Sequence, residues 1–90
     1  MAWQVLFDPR ALRELDALDG PVRRRIWSFL YERLVRLDDP RSVGQALRGT
    51  ELGDMWKYRV GDYRIFARIY DDLVEIVAVE LGHRGRIYRG

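Results

Sequence analysis

The chain has 90 residues, 48% of them hydrophobic, with 16 Lys and Arg against 14 Asp and Glu. This size and balance predict one globular domain spanning residues 1–90 and exclude a two-domain protein. Because there is no cysteine, a disulfide framework and a thiolate zinc site are excluded. The longest apolar runs, such as 76–79, are far shorter than the ~20 residues of a membrane-spanning helix. We therefore expect a soluble, cytoplasmic protein.

The N-terminal half is predicted to form a strand followed by two helices. Residues 2–7 are rich in strand formers, and Asp8 and Pro9 follow as an N-cap and a first-turn proline. The first helix ends where Gly20 can terminate it and Pro21 can begin the next. The second helix has one apolar stripe, which comprises Val22, Ile26, Phe29, Leu30, Leu34 and Leu37.

The C-terminal half is predicted to form an antiparallel meander. Residues 41–54 contain three glycines and no regular period, so we expect a loop with room for a short helical turn at 43–47. Further on the period changes to two, with strands over 55–60, 63–70 and 73–81 joined by two-residue turns. The predicted fold class is α+β: an N-terminal strand, a helical hairpin and a three-stranded antiparallel meander in one sheet packed on the helices.

Two-residue turns would decide which side chains share a face of this sheet. Val60 would pair with Tyr63 and Tyr70 with Leu73, and the mainly apolar positions would face the helices. In this register Arg59 lies directly opposite Arg64. The opposite face, called the outer face below, would collect Met55, Lys57, Arg59, Arg64, Phe66, Arg68, Glu75, Val77 and Val79.

Positive charge is concentrated on the outer face at a cost to folding. Like charges directly opposite on a sheet destabilise it by a sizeable fraction of ~0.2–1 kcal/mol. A phosphate between the two facing arginines would offset this repulsion, because guanidinium groups bind phosphate oxygens bidentately. The alternative is an ordinary solvated surface, which an ion pair between Arg68 and Glu75 would support. Phe66 would either stack on a base or form an apolar patch with Val77 and Val79.

The C-terminal tail is expected to extend the outer face. Regular alternation would place Leu81 and His83 on that face, and a bend at the intervening glycine would bring three more side chains to its rim. His83 is the chain's single histidine; it is either structural or, with an ordinary pKa near ~6.5, a proton-transfer group. The three side chains at the rim are Arg84, Arg86 and Tyr88.

These residue types suit RNA cleavage by the substrate's own 2′-hydroxyl group. No carboxylate pair on the outer face and no Cys/His cluster offers a metal site, and Ser28 and Ser42 have no histidine nearby in the sequence. Attack by the 2′-hydroxyl needs cations to stabilise the charge on the phosphate, together with a base and an acid. The prediction is an activity without metal or other cofactor.

The segment WKYRVGDYR at 56–64, followed by GHR at 82–84 and YR at 88–89 and preceded by LRG at 47–49, resembles a known signature. It is similar to that of the RelE branch of the RelE/ParE superfamily of bacterial and archaeal type II toxins. The similarity covers nearly the whole chain. It implies a fold like that of microbial RNases, and an endonuclease that cuts messenger RNA in the ribosomal A site and is held inactive by an antitoxin.

The resemblance also implies roles for individual residues. Lys57 matches the family's sheet lysine, a base or transition-state stabiliser, and Arg64 matches its phosphate-binding arginine. Arg84 matches an arginine that acts as acid or charge stabiliser, His83 a histidine that some members use for proton transfer, and Tyr88 an aromatic that stacks on the scissile nucleotide. Further RNA contacts are expected from Arg59, Phe66, Arg68 and Arg86.

Two features keep other interpretations open. Some members of the family have a second lysine where this chain has Met55, so His83 is expected to take over part of the proton transfer. ParE-like toxins share the fold and inhibit DNA gyrase, but they have no chemical reason to keep the catalytic set. A third interpretation is a non-catalytic module that binds RNA or ribosomes through the outer face.

A toxin of this family implies an antitoxin, often acidic and partly disordered, that becomes ordered on binding. Trp27, Tyr31 and Val35 lie off the apolar stripe of the second helix, where they would either contribute to that interface or pack against 41–54. The expected partners are an antitoxin, messenger RNA and the ribosome, with no membrane.

Overall fold

Within residues 3–47 and 55–83, which the computed structural model describes, five strands form one sheet with helices on one face. β1 pairs parallel to β5, and the remaining neighbours are antiparallel. The predicted α+β class is confirmed. The strands are β1 (Gln4–Phe7), β2 (Gln45–Ala46), β3 (Trp56–Val60), β4 (Tyr63–Tyr70) and β5 (Glu75–His83), in the spatial order β1-β5-β4-β3-β2.

The helices begin and end close to their predicted positions. Helix α1 (Pro9–Asp16) starts at an N-cap, since the Asp8 carboxylate accepts a 2.9 Å hydrogen bond from the backbone N–H of Arg10. Helix α2 (Gly20–Ser28) continues through a π-helical turn (Phe29–Arg33) and a 3₁₀ turn (Leu34–Arg36). In the described ranges, no helix has the length and apolarity needed to cross a membrane.

The hydrophobic core lies between the helices and one face of the sheet. The predicted helix stripe supplies three fully buried residues, and the strands meet it with the apolar positions that alternation assigned to this face. Each large aliphatic side chain buried here contributes about 1.5–3 kcal/mol. The buried core comprises Val5, Ala11, Leu15, Ile26, Leu30, Leu34, Tyr58, Ile65, Ala67, Ile76, Ala78 and Leu81.

The segment predicted to be a loop has more structure than expected over its described part. A 3₁₀ turn (Pro40–Val43) begins where Asp39 caps the backbone N–H of Arg41 at 3.0 Å, three residues before the predicted helical turn. Strand β2 follows and pairs with β3 through Gln45 opposite Lys57. Two residues are too few to show a period, so this edge strand left no signal in the sequence. Residues 48–54 lie outside the described ranges.

Of the two predicted hairpin turns, the first is confirmed and the second is wrong. Val60 pairs with Tyr63 as predicted, with Gly61 at φ +61° in the first central position, the position that favours glycine in a type II′ turn. The second turn has four residues, 71–74, so that Tyr70 pairs with Glu75 and β5 begins two residues later than predicted. A shift of two residues leaves the faces unchanged, because side chains alternate with a period of two.

A β-bulge in β5 overturns the prediction for the end of that strand. Ala78 pairs with Ala67 and Glu80 with Phe66, which leaves Val79 as the extra residue. Strict alternation would turn Glu80 toward the helices and Leu81 away from them. The bulge reverses this, and Leu81 joins the core at 7% exposure. The predicted position of Leu81 on the outer face is therefore wrong.

Candidate functional site

The outer face carries the predicted cations of β3 and β4 in the expected register. Arg59 pairs with Arg64, and Lys57 pairs with Phe66. Their neighbours Tyr58 and Ile65 point into the core, so alternation places the cations on the other side of the sheet. The outer-face residues that β3 and β4 contribute are Lys57, Arg59, Arg64, Phe66 and Arg68.

These side chains differ strongly in exposure. Arg59 and Arg68 are exposed and Lys57 is half-buried, so their charges are directly available to a ligand. Arg64 is 7% exposed and Phe66 only 2%. Of the two interpretations of Phe66, burial favours apolar packing over stacking on a base. Sequence alternation cannot detect this enclosure, because it assigns a face and not the depth of burial.

Among the described residues, one hydrogen-bond acceptor contacts the guanidinium of Arg64. Its Nη1 donates a 3.3 Å hydrogen bond to the backbone carbonyl of Tyr63. A guanidinium has five N–H donors, and a buried charge is costly unless it is paired. On one side its cross-strand neighbour is the exposed Arg59, and on the other it is Gly82, which has no side chain. An anion bound at this position would face two cations from adjacent strands.

The predicted pairing of Arg68 with Glu75 is wrong. The four-residue turn places Val77 opposite Arg68 and Tyr70 opposite Glu75. Among the described residues, Arg68 has no carboxylate within ion-pair distance. An ion pair between Arg68 and Glu75 therefore no longer supports the interpretation as an ordinary solvated surface. The charge of Arg68 is exposed.

The last described residues of β5 do not continue the outer face in the predicted way. After the bulge, Gly82 pairs along the backbone with Arg64 and His83 with Tyr63, a position on the core face, whereas regular alternation predicted His83 on the outer face. Helix α1 holds this part of the strand: the Glu14 carboxylate accepts a 2.9 Å hydrogen bond from the backbone N–H of Leu81, and Arg10 lies 3.5 Å from the Glu80 carboxylate. The predicted residues Arg84, Arg86 and Tyr88 lie outside the described ranges.

Tyr58 separates the two cations of β3 and anchors the strand from the core side. Its hydroxyl donates a 2.8 Å hydrogen bond to the carbonyl of Pro40, and its ring meets that of Phe29 at a centroid distance of 5.7 Å. Burial raises the pKa of Tyr58 well above its ordinary value of 10.0. The phenol is therefore neutral at physiological pH, and its hydrogen bond helps to position β3.

Two cations that the sequence analysis did not single out lie next to the site. Arg25 and Arg33 of the second helical segment line an open groove together with Arg59. The available signal was the spacing of Arg25, Phe29 and Arg33 at i, i+4 and i+8, which places them on one side of a helix. In the part of the chain that the structure describes, no three Asp, Glu or His side chains are grouped as a metal site requires.

The aromatic residues considered for a partner interface contact β1. Trp27 and Tyr31 are partly exposed and stack on each other at a centroid distance of 4.6 Å. Trp27 also meets the ring of Phe7 at 5.6 Å, and the Tyr31 hydroxyl donates a 3.3 Å hydrogen bond to the carbonyl of Val5. Val35 is half-buried against the core. Two adjacent aromatic rings thus remain accessible on this side of the molecule.

Comparison with known proteins places this architecture in a family. Residues 5–88 match the family model described as the ParE toxin of the type II toxin-antitoxin system parDE. Toxin RelG of Mycobacterium tuberculosis is 34% identical over 89 residues, which cover 99% of each chain. The mRNA interferase toxin RelE of Escherichia coli is 33% identical over 86 residues, which cover 96% of this chain and 87% of that one.

A solved structure agrees with the sequence relatives. The toxin-antitoxin complex RelBE2 of M. tuberculosis contains a chain that matches this one with a TM-score of 0.84 and 31% identity, over 93% of both chains. The fold of the chain and about a third of its residues are therefore shared with these toxins. The chain belongs to the RelE/ParE superfamily of type II toxin-antitoxin toxins, as a RelE-like member.

Proposed function

We propose that this toxin is an endoribonuclease that cleaves messenger RNA in the ribosomal A site. The observation that carries the proposal is the pairing of Arg59 with Arg64 beside Lys57 on one face of the sheet. Folding alone disfavours this arrangement, and a phosphate would neutralise it. The E. coli relative named an mRNA interferase supports RNA as the ligand.

The chemistry needs no nucleophile from the protein. The 2′-oxygen of the RNA forms a bond to phosphorus while the bond to the 5′-oxygen breaks. A base accepts the proton of the 2′-hydroxyl, and an acid protonates the departing 5′-oxygen. The proposed roles are charge stabilisation for Arg64 and Arg84, base or stabiliser for Lys57, proton transfer for His83 and nucleotide stacking for Tyr88.

The exposed cations are expected to contact RNA first. Arg59 and Arg68 are open to solvent, whereas only 7% of Arg64 is exposed. RNA contacts Arg64 through this small exposed part or after the surrounding residues rearrange. We propose that Phe66 packs within the site and supports its cations, and that it does not stack on a base. Arg86 keeps its proposed role as an RNA contact.

The test compares programmed ribosomes and free RNA as substrates. RNA 5′ ends are mapped after incubation with wild type, Arg64→Ala, Arg64→Lys and the control Arg13→Ala, which removes an exposed charge from α1. We expect wild type and the control to cut messenger RNA on ribosomes, and Arg64→Ala to be slowed by about 10²-fold or more. The new 5′ ends should be hydroxyl groups, because attack by the 2′-oxygen releases the 5′-oxygen. Arg64→Lys, which keeps the charge, distinguishes lost chemistry from lost folding when melting is measured in parallel.

His83 has a separate test in the pH dependence of cleavage. If it transfers a proton, His83→Gln removes one limb of the bell-shaped profile of the wild type. An unchanged profile would assign the proton transfer to other residues. Some members of the family have a lysine where this chain has the buried Met55. This position therefore offers no amine for proton transfer.

The match to the ParE toxin model favours one second candidate, inhibition of DNA gyrase. The two activities separate after induction in cells. Immediate arrest of protein synthesis supports the ribonuclease, whereas DNA breaks with translation initially intact support gyrase inhibition. RNA binding without cleavage of any RNA would indicate a non-catalytic module.

We also propose that an antitoxin binds and silences this chain. The solved relative from M. tuberculosis is a toxin-antitoxin complex, and the toxin surface here offers both exposed cations and accessible aromatic rings. Co-expression with the gene adjacent to the toxin should remove growth inhibition, and the two chains should copurify.

A further inference from the structure

A cationic groove lies beside the hairpin of β3 and β4, outside the proposed catalytic residues. Its volume is about 490 Å³, and Arg25, Arg33 and Arg59 line it together with Phe29 and Glu32. The helical residues come from successive turns of one helix side, and Arg59 comes from β3, two residues past the pairing of that strand with β2. Three positive charges and one negative charge thus surround the opening.

Two of the three arginines contact neighbouring groups of the chain. The guanidinium carbon of Arg33 lies 5.8 Å from the centre of the Phe29 ring. Arg25 lies against the hairpin turn, where a Cβ on Gly61 would come within 2.9 Å of its Nη1. Within residues 3–47 and 55–83, none of the three has a carboxylate within ion-pair distance. Their charges are therefore available to an external anion.

The groove is continuous with the proposed active site. A second groove, of about 220 Å³, shares Phe29, Arg33 and Arg59 with the first and extends to Lys57. The two grooves together form a track that begins at Lys57, passes Arg59 of β3 and ends at Arg25. Below, the basic track means these two grooves with Lys57, Arg59, Arg33 and Arg25.

We propose that the basic track binds the phosphate backbone of the RNA strand flanking the cleaved nucleotide. This proposal rests on the proposed ribonuclease function. Arginine forks bind phosphate oxygens irrespective of base, so the track would supply affinity and direction without sequence preference. Its continuity with Lys57 favours RNA over an acidic peptide, because a strand held at Lys57 has to leave the active site through a neighbouring opening.

The test separates binding from chemistry. Arg25→Gln/Arg33→Gln is compared with the control Arg13→Gln/Arg36→Gln, which removes the same charge from exposed positions outside the track. The probe is a fluorescent single-stranded RNA with 2′-O-methyl groups, which cannot be cleaved by its own hydroxyl. Affinity is measured over a series of salt concentrations, and cleavage of unmodified messenger RNA on programmed ribosomes is measured in single turnovers at saturating protein.

For the track variant we expect affinity about 10²-fold weaker than wild type, since a lost charged hydrogen bond costs about a factor of ten. The slope of log K against log salt should fall by about 1.4, because each phosphate of a single strand contributes about 0.7. The single-turnover rate at saturation should match wild type. The control should keep the affinity, the slope and the rate.

Three results would overturn the inference. The first is equal affinity and slope in the track and control variants. The second is a lower saturated rate with unchanged affinity, which would place Arg25 or Arg33 in the chemistry. The third is a loss of affinity for a poly-glutamate peptide in the Arg25→Gln/Arg33→Gln variant while its affinity for RNA stays that of wild type. If wild type binds the probe in the track but never cleaves RNA, the ribonuclease proposal fails while the binding site stands.

Discussion

The hydrogen bond from Tyr58 to Pro40 allows a quantitative test of how β3 is held. Tyr58 is fully buried, and its hydroxyl lies 2.8 Å from the carbonyl oxygen of Pro40. Tyr58→Phe removes this bond, leaves the carbonyl without its donor and preserves the ring. The expected loss in the free energy of unfolding is about 1–2 kcal/mol, the usual cost of leaving a buried acceptor unsatisfied.

The same substitution should change how stability depends on pH. Burial raises the pKa of Tyr58 in the folded chain, whereas the unfolded chain has the ordinary value of 10.0. Above pH 10 the unfolded state loses the proton that the folded state retains, so the wild type loses stability as pH rises. The advantage of wild type over Tyr58→Phe is therefore complete below pH 10 and shrinks above it, by at most about 1.4 kcal/mol per pH unit.

Urea unfolding followed by tryptophan fluorescence measures both effects. Series at neutral pH and between pH 9 and 11 give the stability difference, and an unchanged m value shows that the surface exposed on unfolding is the same. Tyr70→Phe is the matched control, since Tyr70 is 42% exposed. Equal stability of Tyr58→Phe and wild type, or a pH-independent difference, would refute the assignment of a neutral, buried donor at this position.

Three further substitutions test other local features. Val74→Asn should raise the melting temperature, because Val74 has φ +53°, a conformation that costs a β-branched residue about 1 kcal/mol or more and that asparagine tolerates; an unchanged or lower melting temperature would contradict this strain. Gly44→Ala should destabilise the fold by about 1–3 kcal/mol in urea, because the new methyl group would lie 2.8 Å from Cε1 of Tyr58; wild-type stability would show that the ring can move aside. The bidentate pair of Arg41 and Asp71, with N–O distances of 3.1 and 2.7 Å, should give a coupling below about 1 kcal/mol in a double-mutant cycle, because Asp71 is largely exposed; the coupling should fall further in high salt, and a salt-independent value would indicate a desolvated pair.

Local patterns were sufficient for the parts of the fold that depend on neighbours in the sequence. The i, i+4 stripe placed Ile26, Leu30 and Leu34 in the core, and the Asp8 cap placed the start of α1. Alternation joined to a glycine turn gave the pairing of Arg59 with Arg64. Periodicity and turn chemistry depend on residues a few positions apart, so the sequence contains all the information needed to predict these features.

Other features depend on contacts between distant segments. β1 pairs in parallel with β5, and the bulge at Val79 brings Leu81 into the core. No local period encodes which strand accepts β1 as a neighbour or where an extra residue is tolerated. The four-residue turn before β5 is likewise bonded to β1, through the N–H of Gln4 and the carbonyl of Val74.

The alternation of side chains along β3 and β4 was enough to gather cations on one sheet face, because the direction of each side chain follows from backbone geometry. Only the packed chain decided that Arg64 and Phe66 are enclosed and that Arg25 and Arg33 approach Arg59. Depth of burial and proximity between a helix and a strand edge arise from how whole elements pack, and packing is a property of the assembled molecule.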